Sequence, residues 1–196
     1  MKNLNICIDI DGTVTEPFYW LDKANSYFGK NLKPREIRVY DVEKAMGLLP
    51  GDYDRFYDEF GEELHRGARM RTGVAEVIRR HHLTHYIHFV TARDRRMKDV
   101  SIEWLKSHNI ALDSISLLGS HDKAGKAAEL MCDIFIEDRY ENALQLADSG
   151  YDVILIDCTY NKGPLPPNVT RLKHWQQVDR FIVEYSVMCD SLELVL

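Results

Sequence analysis

Five short apolar runs, at residues 4–10, 85–91, 114–118, 133–137 and 152–157, punctuate the chain, most of them rich in Ile, Val, Leu or Phe. Runs of this length and composition predict strands. Between the later runs apolar residues recur at helical spacing, as in Val74, Val77 and Ile78, then Val100, Trp104 and Leu105, then Ala127, Leu130 and Met131, then Ala143, Leu144 and Ala147. Strands alternating with helices predict an α/β fold: a five-stranded parallel sheet covered by helices on both faces.

One connection breaks the rhythm. The first and second runs are separated by residues 11–84, far more than a simple crossover needs. Two helices are expected inside that interval, at about 20–28 and 53–64, separated by the polar stretch 30–38 and by the turn signal Leu49-Pro50-Gly51-Asp52. Residues 16–72 therefore read as a small helical cap inserted after the first strand, and 1–15 with 73–196 as the core. Residues 161–168 carry three prolines, which remove donors and fix φ, so a loop is expected there. A closing helix follows at about 175–188, with Val178, Phe181, Ile182 and Tyr185 on one face.

Composition narrows the function classes. Lys and Arg total 25 against 31 Asp and Glu, a formal net charge of −6, so the chain carries no basic footprint for a nucleic-acid polymer or an anionic membrane. No apolar run has the length of a signal-peptide core or a bilayer span, and a cytoplasmic protein is expected. Cys7, Cys132, Cys158 and Cys189 are scattered with no CxxC pair, which argues for buried thiols rather than a zinc site or a disulfide framework. A homo-oligomer is compatible with the sequence.

The strongest chemical signal is Asp9-Ile10-Asp11-Gly12-Thr13-Val14, directly after the first apolar run. Two carboxylates two residues apart repel unless a cation compensates or one is protonated. A hard cation such as Mg²⁺ binds through carboxylate and backbone oxygens. Three further runs end in polar groups: Thr91, followed by Ala92 and Arg93; Lys123, just after the third run; and Glu137-Asp138. The Thr91 hydroxyl and the backbone N–H groups after it suit a phosphate oxygen, as does a lysine at a helix start. In a parallel sheet all strands open at the same edge, so these segments converge.

In that pattern the chain resembles the haloacid dehalogenase-like phosphohydrolase superfamily, whose four motifs are matched by Asp9-Ile10-Asp11-Gly12-Thr13, Thr91, Lys123 and Glu137-Asp138. The resemblance covers everything except the cap and implies a Rossmann-like core, Mg²⁺ as cofactor and an aspartyl-phosphate intermediate. It further implies Asp9 as nucleophile, Asp11 as general acid/base, Thr91 and Lys123 as phosphate holders, and Asp9, Asp11 (through its carbonyl) and Asp138 as metal ligands, with Glu137 sharing the ion or supporting it. An Asp at position 11 is what the phosphatase members show, which counts against carbon–halogen chemistry. Lys126 remains an alternative to Lys123.

The helical insertion, together with residues 135–143 and Tyr160-Asn161, looks like the 5'-nucleotidase and deoxyribonucleotidase branch, which implies a nucleoside monophosphate as substrate. Phe18, Tyr19 and Trp20 either stack on a base or anchor the cap; Arg71 and Arg93 either reach a phosphate or serve structure. His81, His82, His85 and His88 show no metal-ligand spacing, and the acidic residues from Asp52 to Glu63 read as a solvated helix face. Two alternatives stay open: a phosphatase for sugar phosphates or other small metabolites, and a non-catalytic module that binds a phospho-ligand.

Overall fold

The computed structural model describes residues 3–193; residues 1–2 and 194–196, which belong to the expected core, lie outside the described residues. Strand β1 (Asn5–Ile8) sits inside a six-stranded sheet with β2 (Tyr86–Thr91) and β3 (Ser114–Leu117) on one side and β4 (Ile134–Glu137), β5 (Asp152–Ile156) and β6 (Val169–Leu172) on the other. All pairings are parallel, with Ile6 opposite both Ile87 and Ile134. The order β3-β2-β1-β4-β5-β6 reverses direction at β1, so a crevice opens between the carboxyl ends of β1 and β4.

The two faces of the sheet are sealed by separate apolar clusters, as the strand period of two requires. Ile6, Ile8, Ile87 and Phe89 pack under α4 (Val74–His81), α5 (Lys98–Ser107) and α8 (Trp175–Glu193), through Val77, Trp104 and Val178 among others. Cys7, Val90, Phe135 and Leu155 face α6 (Ala124–Glu129) and α7 (Tyr140–Asp148), through Ala127, Ala143 and Leu146. The expected five strands become six. Strand β6 follows the loop 161–168 at the sheet edge, and only Val169 of its four residues is buried, so it shows no apolar run.

Between β1 and β2 the chain leaves and re-enters the sheet layer side by side: Thr15 bridges Met70, Glu16 N–H donates to Arg69 O at 2.7 Å, and Arg71 N–H to Val14 O at 2.9 Å. The interval holds α1 (Leu21–Phe28), α2 (Val42–Met46) and α3 (Asp52–Gly67), joined around their own apolar cluster of Trp20, Leu21, Ala24, Ile37, Met46, Phe56 and Leu64. Helix α2 was not expected: it has one buried residue, Met46, and is held by its Asp41 cap, whose carboxylate accepts from Lys44 N–H at 3.0 Å. Among the described residues no helix is long and apolar enough to cross a membrane. Cys7, Cys132 and Cys158 are buried free thiols and Cys189 is partly exposed.

Candidate active site

Strand β1 hands over to a tight loop. Asp9 N–H still pairs with Ile136 O at 2.9 Å, so Asp9 stays in register beside β4, and the chain then turns, with Val14 and Thr15 N–H both bonding Ile10 O. Gly12 makes the turn at φ 81°, and a Cβ there would overlap Asp138 Oδ2 and the Tyr160 hydroxyl. Arg71 supports the loop from the re-entry segment, donating from Nε to Gly12 O at 2.8 Å and from Nη2 to Cys158 Sγ at 3.0 Å. Gly12→Ala should therefore lower stability by about 1–3 kcal/mol and weaken cation binding; unchanged thermal unfolding and an unchanged ion affinity would contradict this crowding.

A buried electrostatic cluster fills the crevice. Carboxylate oxygens of Asp9, Glu137 and Asp138 lie within 4.8 Å of one another. Lys123, itself 1% exposed, donates from Nζ to Asp9 Oδ1 at 2.5 Å and to Glu137 Oε1 at 3.0 Å. Glu137 also accepts from Asn142 Nδ2 and from Asp138 N–H, the latter at 2.9 Å. Asp138 accepts from Thr13 Oγ1 at 3.2 Å and from the Tyr160 hydroxyl, while Asn161 Nδ2 ties Asp138 O to the end of β5. Lys126, by contrast, lies at the surface and pairs with Glu129.

Charge is in excess on the acidic side: three carboxylates face one ammonium. Burial pushes the Asp9 carboxyl up to about 7 against the opposing pull of Lys123, with Glu137 and Asp11 adding to the rise. Burial, then the charges of Glu137 and Asp9, hold Asp138 well above the usual carboxylate range. For Glu137 the cost of burial is outweighed by Lys123 and Asn142, and its carboxyl is lowered. Such a site, oxygen-only and two positive charges short, fits a hard divalent cation.

Asp11 stands apart from that cluster. Burial would raise its carboxyl, but Arg93 outweighs it and holds the group well below the ordinary value. The contact is a fork: Arg93 Nε to Asp11 Oδ2 at 2.8 Å and Nη2 to Oδ1 at 2.7 Å, with Nη1 on Ser101 Oγ at 2.8 Å. Thr91 is buried at the end of β2, its Oγ1 accepting from Arg93 N–H at 3.2 Å, and Ala92 beside it lines the cavity.

Above these groups lies a cavity of about 790 Å³, within the range of small-molecule sites, walled by both the sheet edge and the inserted helices. Asp11, Gly12, Ala92 and Asp138 form its floor; Tyr40, Tyr53 and Tyr57 come from the insertion.

The 5' nucleotidase, deoxy (pyrimidine), cytosolic type C family model matches residues 2–188. The chain belongs to this nucleotidase family. A nucleotidase of Clostridium acetobutylicum is 40% identical over 178 residues, covering 91% of this chain and 93% of that protein. Among solved structures, a haloacid dehalogenase-like family hydrolase from Streptococcus pneumoniae superposes with a TM-score of 0.70 at 14% identity, covering 91% of this chain and 98% of that one. A HAD hydrolase of Bacillus subtilis, described bound to magnesium, gives 0.61 at 10% identity, covering 92% and 99%. Family membership makes the protein a nucleotidase, that is a phosphomonoester hydrolase, its fold is like that of the haloacid dehalogenase-like hydrolases, and its buried acidic cluster suits a divalent metal.

For this nucleotidase the structure brings Asp9, Lys123, Glu137 and Asp138 into one cluster and places Asp11, Thr91, Ala92 and Arg93 beside it. The aromatic residues expected to stack or anchor divide their work. Trp20 is buried and bonds Pro17 O at 3.1 Å, Phe18 meets Tyr160 edge-on, and Tyr19 donates to Asp11 Oδ1 at 2.8 Å. His81 pairs with Asp179, His82 with Asp113, His85 accepts from Leu4 N–H and His88 meets Ser114, so these histidines serve structure. Sequence reasoning missed Tyr40, Tyr57, His65 and the Tyr160 contact to Asp138; each reaches the site only through tertiary packing, and no local spacing marks it.

Proposed function

We propose that this nucleotidase hydrolyses nucleoside monophosphates with Mg²⁺, through a phosphorylated Asp9. The observation that carries the reading is the buried Asp9–Lys123–Glu137–Asp138 cluster at the reversal point of the sheet, with Asp11 next to it, under an aromatic-walled cavity. When bound, the ion, held by Asp9, Asp138 and the Asp11 carbonyl with Glu137 in support, neutralises charge on the phosphoryl oxygens and keeps Asp9 ionised.

Asp9 attacks phosphorus as the ester P–O bond breaks, and the leaving oxygen takes its electron pair together with a proton from Asp11. Water then attacks the phosphorus of phospho-Asp9, gives its proton to the Asp11 carboxylate, and frees inorganic phosphate and the Asp9 carboxylate. Lys123 and the Thr91–Ala92 turn hold the transferring phosphate. Arg93, which the sequence offers as a phosphate ligand, acts on Asp11 in this reading, since its guanidinium is committed to Asp11 and Ser101. The held carboxylate is the base form that the second step consumes; protonation before the first step requires it to loosen from Arg93.

Residues 16–72 act as a cap over a core of 1–15 and 73–196, an assignment supported by the separate apolar cluster of the insertion and by the paired crossings at Thr15 and Met70. The cap tyrosines offer flat apolar faces to a base. The family's cytosolic description supports a cytoplasmic location.

A panel of ribo- and deoxynucleoside monophosphates, sugar phosphates and an aryl phosphate, each with Mg²⁺ and with EDTA, tests the substrate. Mg²⁺-dependent release favouring nucleotides is expected; preference for sugar phosphates would overturn the substrate assignment. Proton competition gives a second expectation. Because the Asp9 carboxyl lies near 7 without the ion and must ionise to bind it, Mg²⁺ affinity should fall as pH drops below that value, by up to about tenfold per pH unit. Calorimetric titration at about pH 6 and pH 8 reads it; equal affinities would contradict it.

A further inference from the structure

The Asp11 carboxylate is gripped from two sides. Arg93 grips it from the core, and from the insertion comes a partly buried chain that the catalytic scheme does not use. The Tyr19 hydroxyl lies 2.8 Å from Asp11 Oδ1 and 3.1 Å from His65 Nδ1, and the Tyr57 hydroxyl lies 2.7 Å from His65 Nε2. His65 is 2% exposed, on α3.

Donor bookkeeping sets the direction of this chain. An ionised Asp11 only accepts, so the single proton of Tyr19 points at Oδ1. The bond between Tyr19 and His65 must then be donated by His65 Nδ1, which leaves Nε2 to accept from the Tyr57 hydroxyl. Every group is paired and every donor points toward Asp11, an arrangement in which each bond polarises the next. Burial and the Arg93 charge, which lower the imidazole to about 4, keep His65 neutral as the chain requires.

The chain also distinguishes the two oxygens. Oδ1 accepts from both Tyr19 and Arg93 Nη2, whereas Oδ2 accepts from Arg93 Nε. Oδ2 is thus the oxygen left to carry and deliver the proton.

We propose that Tyr19, His65 and Tyr57 are positioning residues that orient the Asp11 carboxylate for proton transfer, so that the inserted helix α3 sets the geometry of the acid/base. This rests on the reading of Asp11 as general acid. The insertion then contributes to the chemical step as well as covering the substrate.

Leaving-group chemistry tests it. Departure of a nucleoside alkoxide needs a proton, whereas 4-nitrophenolate leaves without one, and kcat/KM reports the first irreversible step. Tyr19→Phe and His65→Leu should lower kcat/KM for a nucleoside monophosphate by about 10- to 100-fold, and for 4-nitrophenyl phosphate far less. His65→Asn, whose amide can donate near the place of Nδ1, should recover most of the nucleotide rate. Equal losses on both substrates in Tyr19→Phe, or none, would overturn the proposal even if His65→Leu failed to fold. Asp11→Asn is the control: it should show the same leaving-group dependence more strongly, and if it does not, the general-acid reading fails rather than the positioning one.

Discussion

Replacing Lys123 with methionine should destabilise the metal-free protein by about 3–5 kcal/mol, and a divalent cation should restore most of the loss. The ammonium is buried between Asp9 and Glu137 at 2.5 and 3.0 Å, and its removal leaves three carboxylates within 4.8 Å of one another with no counter-charge. Methionine keeps the stem's volume, so packing alone cannot supply a loss of that size. The deficit should grow as pH rises above the carboxylate range, because the unfolded chain then ionises groups that the variant's folded state prefers protonated. Denaturant unfolding with and without Mg²⁺ measures both effects. A variant as stable as the parent, or one that Mg²⁺ does not rescue, would contradict the charge balance described for the crevice.

Asp9→Asn should remove turnover by about four orders of magnitude or more while leaving the fold intact or slightly stabilised. The stability sign follows from burial. The Asp9 carboxyl is raised from 3.8 to about 7 in the fold, so above pH 3.8 its ionisation opposes folding, increasingly up to about pH 7. Asparagine removes that opposition and leaves Lys123 its bond to Glu137. Loss of turnover with a preserved or raised melting temperature is the expected pair. Retained turnover would exclude Asp9 as nucleophile, and a lowered melting temperature would contradict the sign.

Much of this architecture was legible because it is written in local pattern. The five apolar runs that became β1 to β5 are short, β-branched and separated by helical periods, and the carboxylates of the Asp9-Ile10-Asp11-Gly12 turn close the first of them. Strand β6 escaped because an edge strand with one buried residue after a proline-rich loop carries no alternation. Helix α2 escaped because five residues do not complete a readable period.

The site divides along the same line. Residues at strand ends, Asp9, Thr91, Glu137 and Asp138, follow from topology, since parallel strands deliver their carboxyl ends to one edge. Lys123 could not be separated from Lys126 by sequence, and burial separates them. The fork from Arg93 to Asp11 depends on how the loops after β1 and β2 meet, and the Tyr57–His65–Tyr19 chain on how the insertion docks, tertiary facts that leave no spacing in the sequence.

Covalent catalysis at Asp9 is tested by quenching turnover of a ³²P-labelled nucleoside monophosphate with acid and mapping the label on the protein. Label on the peptide that contains Asp9, lost with Asp9→Asn and with EDTA, is the predicted result. Turnover that leaves no acyl phosphate on the chain, or leaves it on another residue, would contradict the account.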